Sequence, residues 1–136
     1  MPRPRIAVTM GDPAGIGPEV CLHLLNDSAI KDIVEPVVFG DACVLEKAAN
    51  ECGLKPPAQI VKSLADAEGP CVLDLGVISV DEYETGIINA ATGRAGYRYV
   101  TETIDRALKG EVNAVPTGPL NKEALKMAGV PSPGPL

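Results

Sequence analysis

Short apolar runs alternate along this chain with stretches in which apolar positions recur every three or four residues. That alternation predicts strands followed by helices, the signature of a layered α/β domain. Arg5-Ile-Ala-Val-Thr9 reads as a first strand, Val37-Val-Phe39 as a second, Gln59-Ile-Val61 as a third and Cys71-Val-Leu-Asp-Leu75 as a fourth. Helices are expected from Pro18 to about Asn26, from Ala42 to Glu51 and from Asn89 to Leu108. Pro18 suits a first helical turn, where its missing N–H costs nothing, and Glu19 there complements the helix dipole. Asp41 reads as the cap of the second helix and Gly53 as its stop. On the long third helix, Tyr97, Val100, Ile104 and Leu108 fall on one stripe. Gly93 and Gly96 weaken that helix but permit a close neighbouring backbone. Gly76 to Ile88 has no clear period and reads mostly as loop. Asn113-Ala-Val115 is a last short strand, after which Thr117 to Lys122 turns into a helix ending near Ala128, with Gly129 as its cap.

A length of 136 residues leaves room for one domain of ordinary size. Residues 1–130 form its expected body. Pro131-Ser-Pro-Gly-Pro-Leu136 is expected to be an extended tail, because alternating prolines forbid helix and central strand. Hydrophobic residues at 46% and charged residues at 22% are near globular averages, which excludes wholesale disorder. No apolar run approaches the ~18 residues of a membrane helix, and the opening Met-Pro-Arg-Pro-Arg-Ile lacks a signal-peptide core. A cytoplasmic chain without a membrane partner is expected. The net charge of −6 argues against a nucleic-acid partner, since neutralising phosphates takes a basic face.

The four cysteines, Cys21, Cys43, Cys52 and Cys71, have no close spacing and read as free thiols. The single histidine, His23, sits mid-helix and reads as a surface or half-buried side chain. A metal site built from several imidazoles of one chain is thereby excluded. Arg94 and Arg98 read as a solvated face, and Asp81, Glu82 and Glu84 as solvated loop charge.

Two strand–turn–helix junctions carry candidate chemistry. The first is Thr9-Met-Gly-Asp-Pro-Ala-Gly-Ile-Gly-Pro-Glu19. Its glycines let the backbone turn sharply and approach a ligand, and the helix start behind it offers N–H groups to an anion. It has neither the Lys-Ser/Thr ending of a P-loop nor a GxGxxG fingerprint. Asp12 is equally readable as a ligand contact or as a turn-forming side chain. The second junction is Val115-Pro-Thr-Gly-Pro-Leu-Asn-Lys-Glu123. Thr117, Asn121 and Lys122 place polar groups at the end of a strand, where open α/β sheets bind ligands. The same spacing lets Asn121 simply cap the helix, with Lys122 solvated.

In this order and at this separation, the junctions resemble the 4-hydroxythreonine-4-phosphate dehydrogenase family of pyridoxal phosphate biosynthesis. The carrying residues are Met10-Gly-Asp-Pro-Ala-Gly-Ile-Gly-Pro-Glu19, Ala91-Thr-Gly-Arg-Ala95, Thr117-Gly-Pro-Leu-Asn-Lys-Glu-Ala-Leu125 and Ala128-Gly129. The similarity extends to about Gly134. It is also similar, more distantly, to isopropylmalate and isocitrate dehydrogenases, whose Gly-Asp-Gly-Ile-Gly-Pro-Glu segment matches with Pro13-Ala14 inserted.

The resemblance implies a three-layer α/β/α, isopropylmalate dehydrogenase-like fold, here an incomplete first domain. It implies NAD-dependent oxidation, then decarboxylation, of 4-phosphooxy-L-threonine, helped by a divalent metal (Zn, Mg or Co), in a homodimer. Gly11, Asp12, Gly15 and Gly17 would line the cofactor side of the cleft. Thr117, Asn121 and Lys122 would face the small phosphorylated substrate. Family chains continue after Pro-Gly with His-Thr-Glu, whereas Pro133-Gly134 here is followed by Pro135-Leu136. The metal histidines would lie beyond that point, so no catalytic and no metal residue is expected in this chain. It is expected to be a truncated member, inactive alone and prone to self-association through an uncovered sheet edge. Threonate or erythronate 4-phosphate dehydrogenase of the same family, and a non-catalytic anion-binding or interaction module, are the alternatives.

Overall fold

A computed structural model describes residues 3–116 and 121–130. Thr117 and the expected tail, 131–136, lie outside the described residues. The chain runs β1 (Arg5–Thr9), α1 (Gly17–Leu25), α2 (Ser28–Lys31), β2 (Glu35–Gly40), α3 (Ala42–Cys52), β3 (Ile60–Val61), β4 (Cys71–Asp74), α4 (Ala90–Leu108) and α5 (Lys122–Met127). The strands pair in parallel in the order β1-β2-β4-β3. On the far side of β1, Ile6 bridges to Ala114 in parallel, and the Ala7 N–H donates to the Ala114 carbonyl at 2.9 Å. Residues 113–116 thus occupy a fifth position, where the sequence predicts the last strand.

Crossovers between parallel strands are right-handed, and this fixes which face each helix covers. The steps from β1 to β2 and from β2 to β3 go one way across the sheet, and α1 and α3 pack together on one face. Val38 and Val72 point into that layer, against Cys21, Leu22, Val44 and Leu45. The step from β4 back to residues 113–116 goes the other way. Its helix, α4, lies against β1 and β2 and carries α5 on its back. Ala7, Val37, Phe39, Cys71 and Leu73 form a second core on that face, with Ala107 of α4 packed against it. Both sheet faces are covered, which is why β2 is a continuous buried run and not an alternating one. The layers are those of the three-layer α/β/α arrangement.

Four details depart from the sequence reading. A short helix, α2, follows Asp27, whose carboxylate accepts the Ala29 N–H at 2.9 Å. The side chain of Asp41 does not cap α3. Asp74 does so from the neighbouring strand, accepting the Ala42 N–H at 3.2 Å. The loop of 76–88 contains a 3-10 turn at Val80–Glu82, closed by the Ser79 and Glu82 side chains. The largest correction concerns α4. Its apolar stripe points outward, with Tyr97, Ile104 and Leu108 46%, 49% and 83% exposed. The buried face is Thr92, Gly93, Ala95, Gly96, Tyr99 and Thr103. Gly93, Ala95 and Gly96 let the first turns of α4 approach its neighbours closely, while Tyr99 fills the core beyond them, so the inner face is set by fit to the neighbours and not by the apolar stripe.

Gly93 shows how tight that approach is. A Cβ there would sit 2.0 Å from the Ala124 carbonyl oxygen, so the α4 and α5 backbones touch only because no side chain intervenes. Alanine would bring ~1 kcal/mol of helix propensity, yet it would force the two backbones apart. We expect Gly93→Ala to lower unfolding free energy by about 1–3 kcal/mol, read as a shifted urea midpoint. An unchanged or raised midpoint would show that α5 does not rest on α4 in solution.

Candidate functional site

The segments leaving the carboxyl ends of the strands enclose a cleft of about 520 Å3. Its floor is the loop after β1, from Asp12 to Ile16, with Pro18 and Glu19 of α1. Val44, Ala48 and Glu51 of α3 form one wall. Tyr83, Thr85, Gly86 and Ile88 form another, and Asn121, just before α5, completes the lining.

The floor owes its shape to two glycines. Gly11 adopts φ 76°, a left-handed conformation that few other residues tolerate. At Gly17 a Cβ would stand 1.8 Å from the Met10 carbonyl oxygen, so the first turn of α1 folds directly back on the end of β1. Ile16, at the N-cap of α1, contributes no side-chain cap. The wall is tied down at several points. The Gly86 N–H donates to the Ala14 carbonyl at 2.8 Å, the Thr85 hydroxyl to Glu51 at 2.9 Å, and Lys47 lies 4.2 Å above the Tyr83 ring.

Asp12 is the unusual group. It is only 3% exposed; one carboxylate oxygen accepts the Ala14 N–H at 2.8 Å, and the other, Oδ2, has no hydrogen-bond partner among the described residues. Burial raises its pKa above the ordinary aspartate value, and the Ala14 N–H and the Thr92 hydroxyl pull it only part of the way back. A buried acid with a spare oxygen at the floor of a cleft is the kind of perturbed group that functional sites collect. Glu19 and Glu51 add negative charge, and no Lys or Arg lines the cleft among the described residues.

Of the sequence-predicted residues, the structure brings Asp12, Gly15 and Asn121 into one cleft. Asn121 also caps α5, its Oδ1 accepting the Ala124 N–H at 3.0 Å, as the capping reading of that residue expects. Gly11 and Gly17 shape the floor but are not among its lining, and Lys122 is exposed outside it. Sequence reasoning missed the wall of Tyr83, Thr85, Gly86 and Ile88, which lies in a segment with no periodicity to follow. His23 is exposed on α1, 3.9 Å from Glu19 one turn earlier, a pairing its i, i+4 spacing allows. Among the described residues no three His, Cys, Asp or Glu side chains gather to hold a metal ion, and no helix is long and apolar enough to cross a membrane. All four cysteines are free thiols; burial pushes Cys21 up to about 12 and Cys71 up to about 11.

A parallel α/β sheet with helices on both faces and a ligand-sized cleft at its carboxyl edge defines the class: a doubly wound α/β domain. Within that class, residues 32–136 match the family described as "Pyridoxal phosphate biosynthetic protein PdxA", and the chain belongs to that family. It is 34% identical over 140 residues to the 4-hydroxythreonine-4-phosphate dehydrogenase of Trichlorobacter lovleyi, covering 98% of this chain and 41% of that one. It is 39% identical over 132 residues to a Symbiobacterium thermophilum protein named "Putative D-threonate 4-phosphate dehydrogenase", covering 94% of this chain and 39% of the relative. The crystal structure of a 4-hydroxythreonine-4-phosphate dehydrogenase from Burkholderia phymatum superposes with a TM-score of 0.87 at 35% identity, over 98% of this chain and 41% of its own. The chain therefore spans about two fifths of the length of the relatives it matches.

The raised pKa of Asp12 has a stability consequence. Between the unfolded value of 3.8 and the higher folded value, the folded state holds the extra proton. Stability therefore falls as pH rises through that window and stays reduced above it. Asp12→Asn removes the buried charge while keeping the Ala14 bond. We expect it to melt above the wild type at pH 7, with the gain vanishing below pH 3.8. A variant that melts lower at pH 7 would show that the carboxylate is satisfied in the folded state.

Proposed function

We propose that this chain supplies the cofactor-side cleft of an NAD-dependent dehydrogenase that oxidises the secondary alcohol of 4-phosphooxy-L-threonine, a step toward pyridoxal phosphate. The observation that carries this reading is the shared cleft. The loop Asp12–Ile16 and the residue Asn121, far apart in sequence, line one cavity in a member of this family.

The lining suits the nucleoside part of a dinucleotide. Asp12 Oδ2 is an acceptor in need of a donor, and ribose hydroxyls are donors. Val44, Ala48 and Ile88 offer apolar surface for a base. Gly15 lets backbone approach closely, and the N-terminus of α1 is a source of positive potential for a diphosphate. When bound, NAD supplies the acceptor for the hydride leaving the carbinol carbon. Asn121 presents its amide at the rim, while Lys122 beside it supplies a cation toward the substrate phosphate. Gly11 and Gly17 hold the floor in shape. Thr117 joins Asn121 and Lys122 in this proposal by resemblance alone.

A divalent metal does not fit the described residues, since no three His, Cys, Asp or Glu side chains among them gather to hold one. The chain alone is proposed not to turn over; the working enzyme is proposed to be a cytoplasmic homodimer whose reactive groups lie in the part of the family's length that this chain does not span. A second reading, oxidation of D-threonate 4-phosphate, is favoured by the 39% identity to the Symbiobacterium relative.

A chimera tests these readings. This chain, replacing the matching segment of the Burkholderia phymatum relative, should produce NADH from 4-phosphooxy-L-threonine. Production from D-threonate 4-phosphate alone would favour the second reading. A folded chimera that reduces NAD with neither substrate would overturn both, and turnover by the 136-residue chain itself would overturn the claim that it lacks reactive groups.

A further inference from the structure

Asp41 stands at the end of β2, where the sequence calls for a helix cap, yet its carboxylate turns away from α3. Asp74 has taken over the capping, and this frees Asp41 for another segment. The freed side chain is 1% exposed. Its oxygens accept the Val77 N–H at 3.0 and 3.1 Å, the Ile78 N–H at 2.8 Å and the Tyr99 hydroxyl at 3.0 Å. A buried carboxylate persists only where donors surround it, and here they come from two distant segments.

Those segments matter for the cleft. Val77 and Ile78 begin the stretch that becomes the wall of Tyr83, Thr85, Gly86 and Ile88. Within that stretch, regular structure amounts to a single 3-10 turn. Of its other ties, Thr85 to Glu51 and Ser79 to Glu82 are exposed and open to competition from water, while the Gly86 N–H on the Ala14 carbonyl holds the far end of the stretch and not its root. Tyr99 belongs to the buried face of α4 and is itself fully buried. Burial, with the Asp41 charge beside it, pushes its phenol far above the usual tyrosine range, so it remains a donor. Neither Asp41 nor Tyr99 lines the cleft.

We infer that Asp41 and Tyr99 are positioning residues of the cleft: Asp41 anchors the root of the wall by two backbone N–H groups, and Tyr99 holds the Asp41 carboxylate in place from α4. The anchoring of the wall's root is argued from these bonds. Only its bearing on a dinucleotide rests on the function proposed above.

Hydrogen exchange of the 136-residue chain, read peptide by peptide, separates positioning from a general structural role. In Asp41→Asn, the 77–88 amides should exchange about tenfold faster while β1, β2 and α1 change little, because local opening is cheaper than global unfolding. Tyr99→Phe, which keeps the ring and loses only the hydroxyl, should show the same pattern at smaller amplitude and serves if Asp41→Asn does not fold. Faster exchange spread evenly over the chain, or no change at 77–88 in Tyr99→Phe, would overturn the inference. NAD affinity measured by calorimetry should fall in parallel with the local opening. Failure of the wild type to bind NAD would count against the proposed function while leaving the exchange result to decide the positioning claim.

Discussion

The parallel pairing of β1 with β2 on one side and with residues 113–116 on the other obliges the chain to leave the sheet toward opposite faces. After β1 it turns into α1, beneath the core of Leu22, Val38 and Val72. After residues 113–116 it continues to α5, which lies on α4 across the opposite face. Right-handed crossovers allow no other arrangement for this strand order. Where two such exits diverge, side chains cannot fill the space between them, and a crevice opens at the carboxyl edge of the sheet. The cleft follows from topology, and the residues lining it give it a chemistry.

That chemistry depends on backbones brought unusually close. The first turn of α1 folds onto the end of β1 because Gly17 has no side chain, and α5 reaches α4 because Gly93 has none. Both contacts fix where an exit loop stands relative to the sheet. The floor then carries Asp12 in a setting that disfavours its charge, a local cost that a ligand's donor would relieve. The wall from Tyr83 to Ile88 has little structure of its own and takes its position from outside, through Asp41, Glu51 and the carbonyl of Ala14.

Much of this was legible in the residues. The β-like runs at Arg5–Thr9 and Cys71–Asp74, the proline at the start of α1 and the glycines past α3 and α4 are local signals, and local signals survive folding. The first junction, Thr9 to Glu19, was visible for the same reason. What failed were inferences needing knowledge of neighbours. The bulky stripe of α4 pointed to the wrong face, because closeness to α5 and the sheet selects Gly93, Ala95 and Thr103 for the inside. Asp41 looked like a cap since nothing in the sequence places Val77 beside it. The wall from Tyr83 to Ile88 carries no period at all, being shaped by contacts with α3 and the β1 loop. Thr117 lies outside the described residues, so its expected place beside Asn121 rests on resemblance.

The claim on which the rest depends is that the exits after β1 and after residues 113–116 serve one ligand. Backbone amide shifts in the nitrogen-15 spectrum, followed while NAD is added, test it most directly. Gly15, Gly86 and Asn121 are expected to shift together along a single saturation curve. Shifts confined to one exit, or scattered over the outer face of α4 with the cleft unmoved, would contradict it.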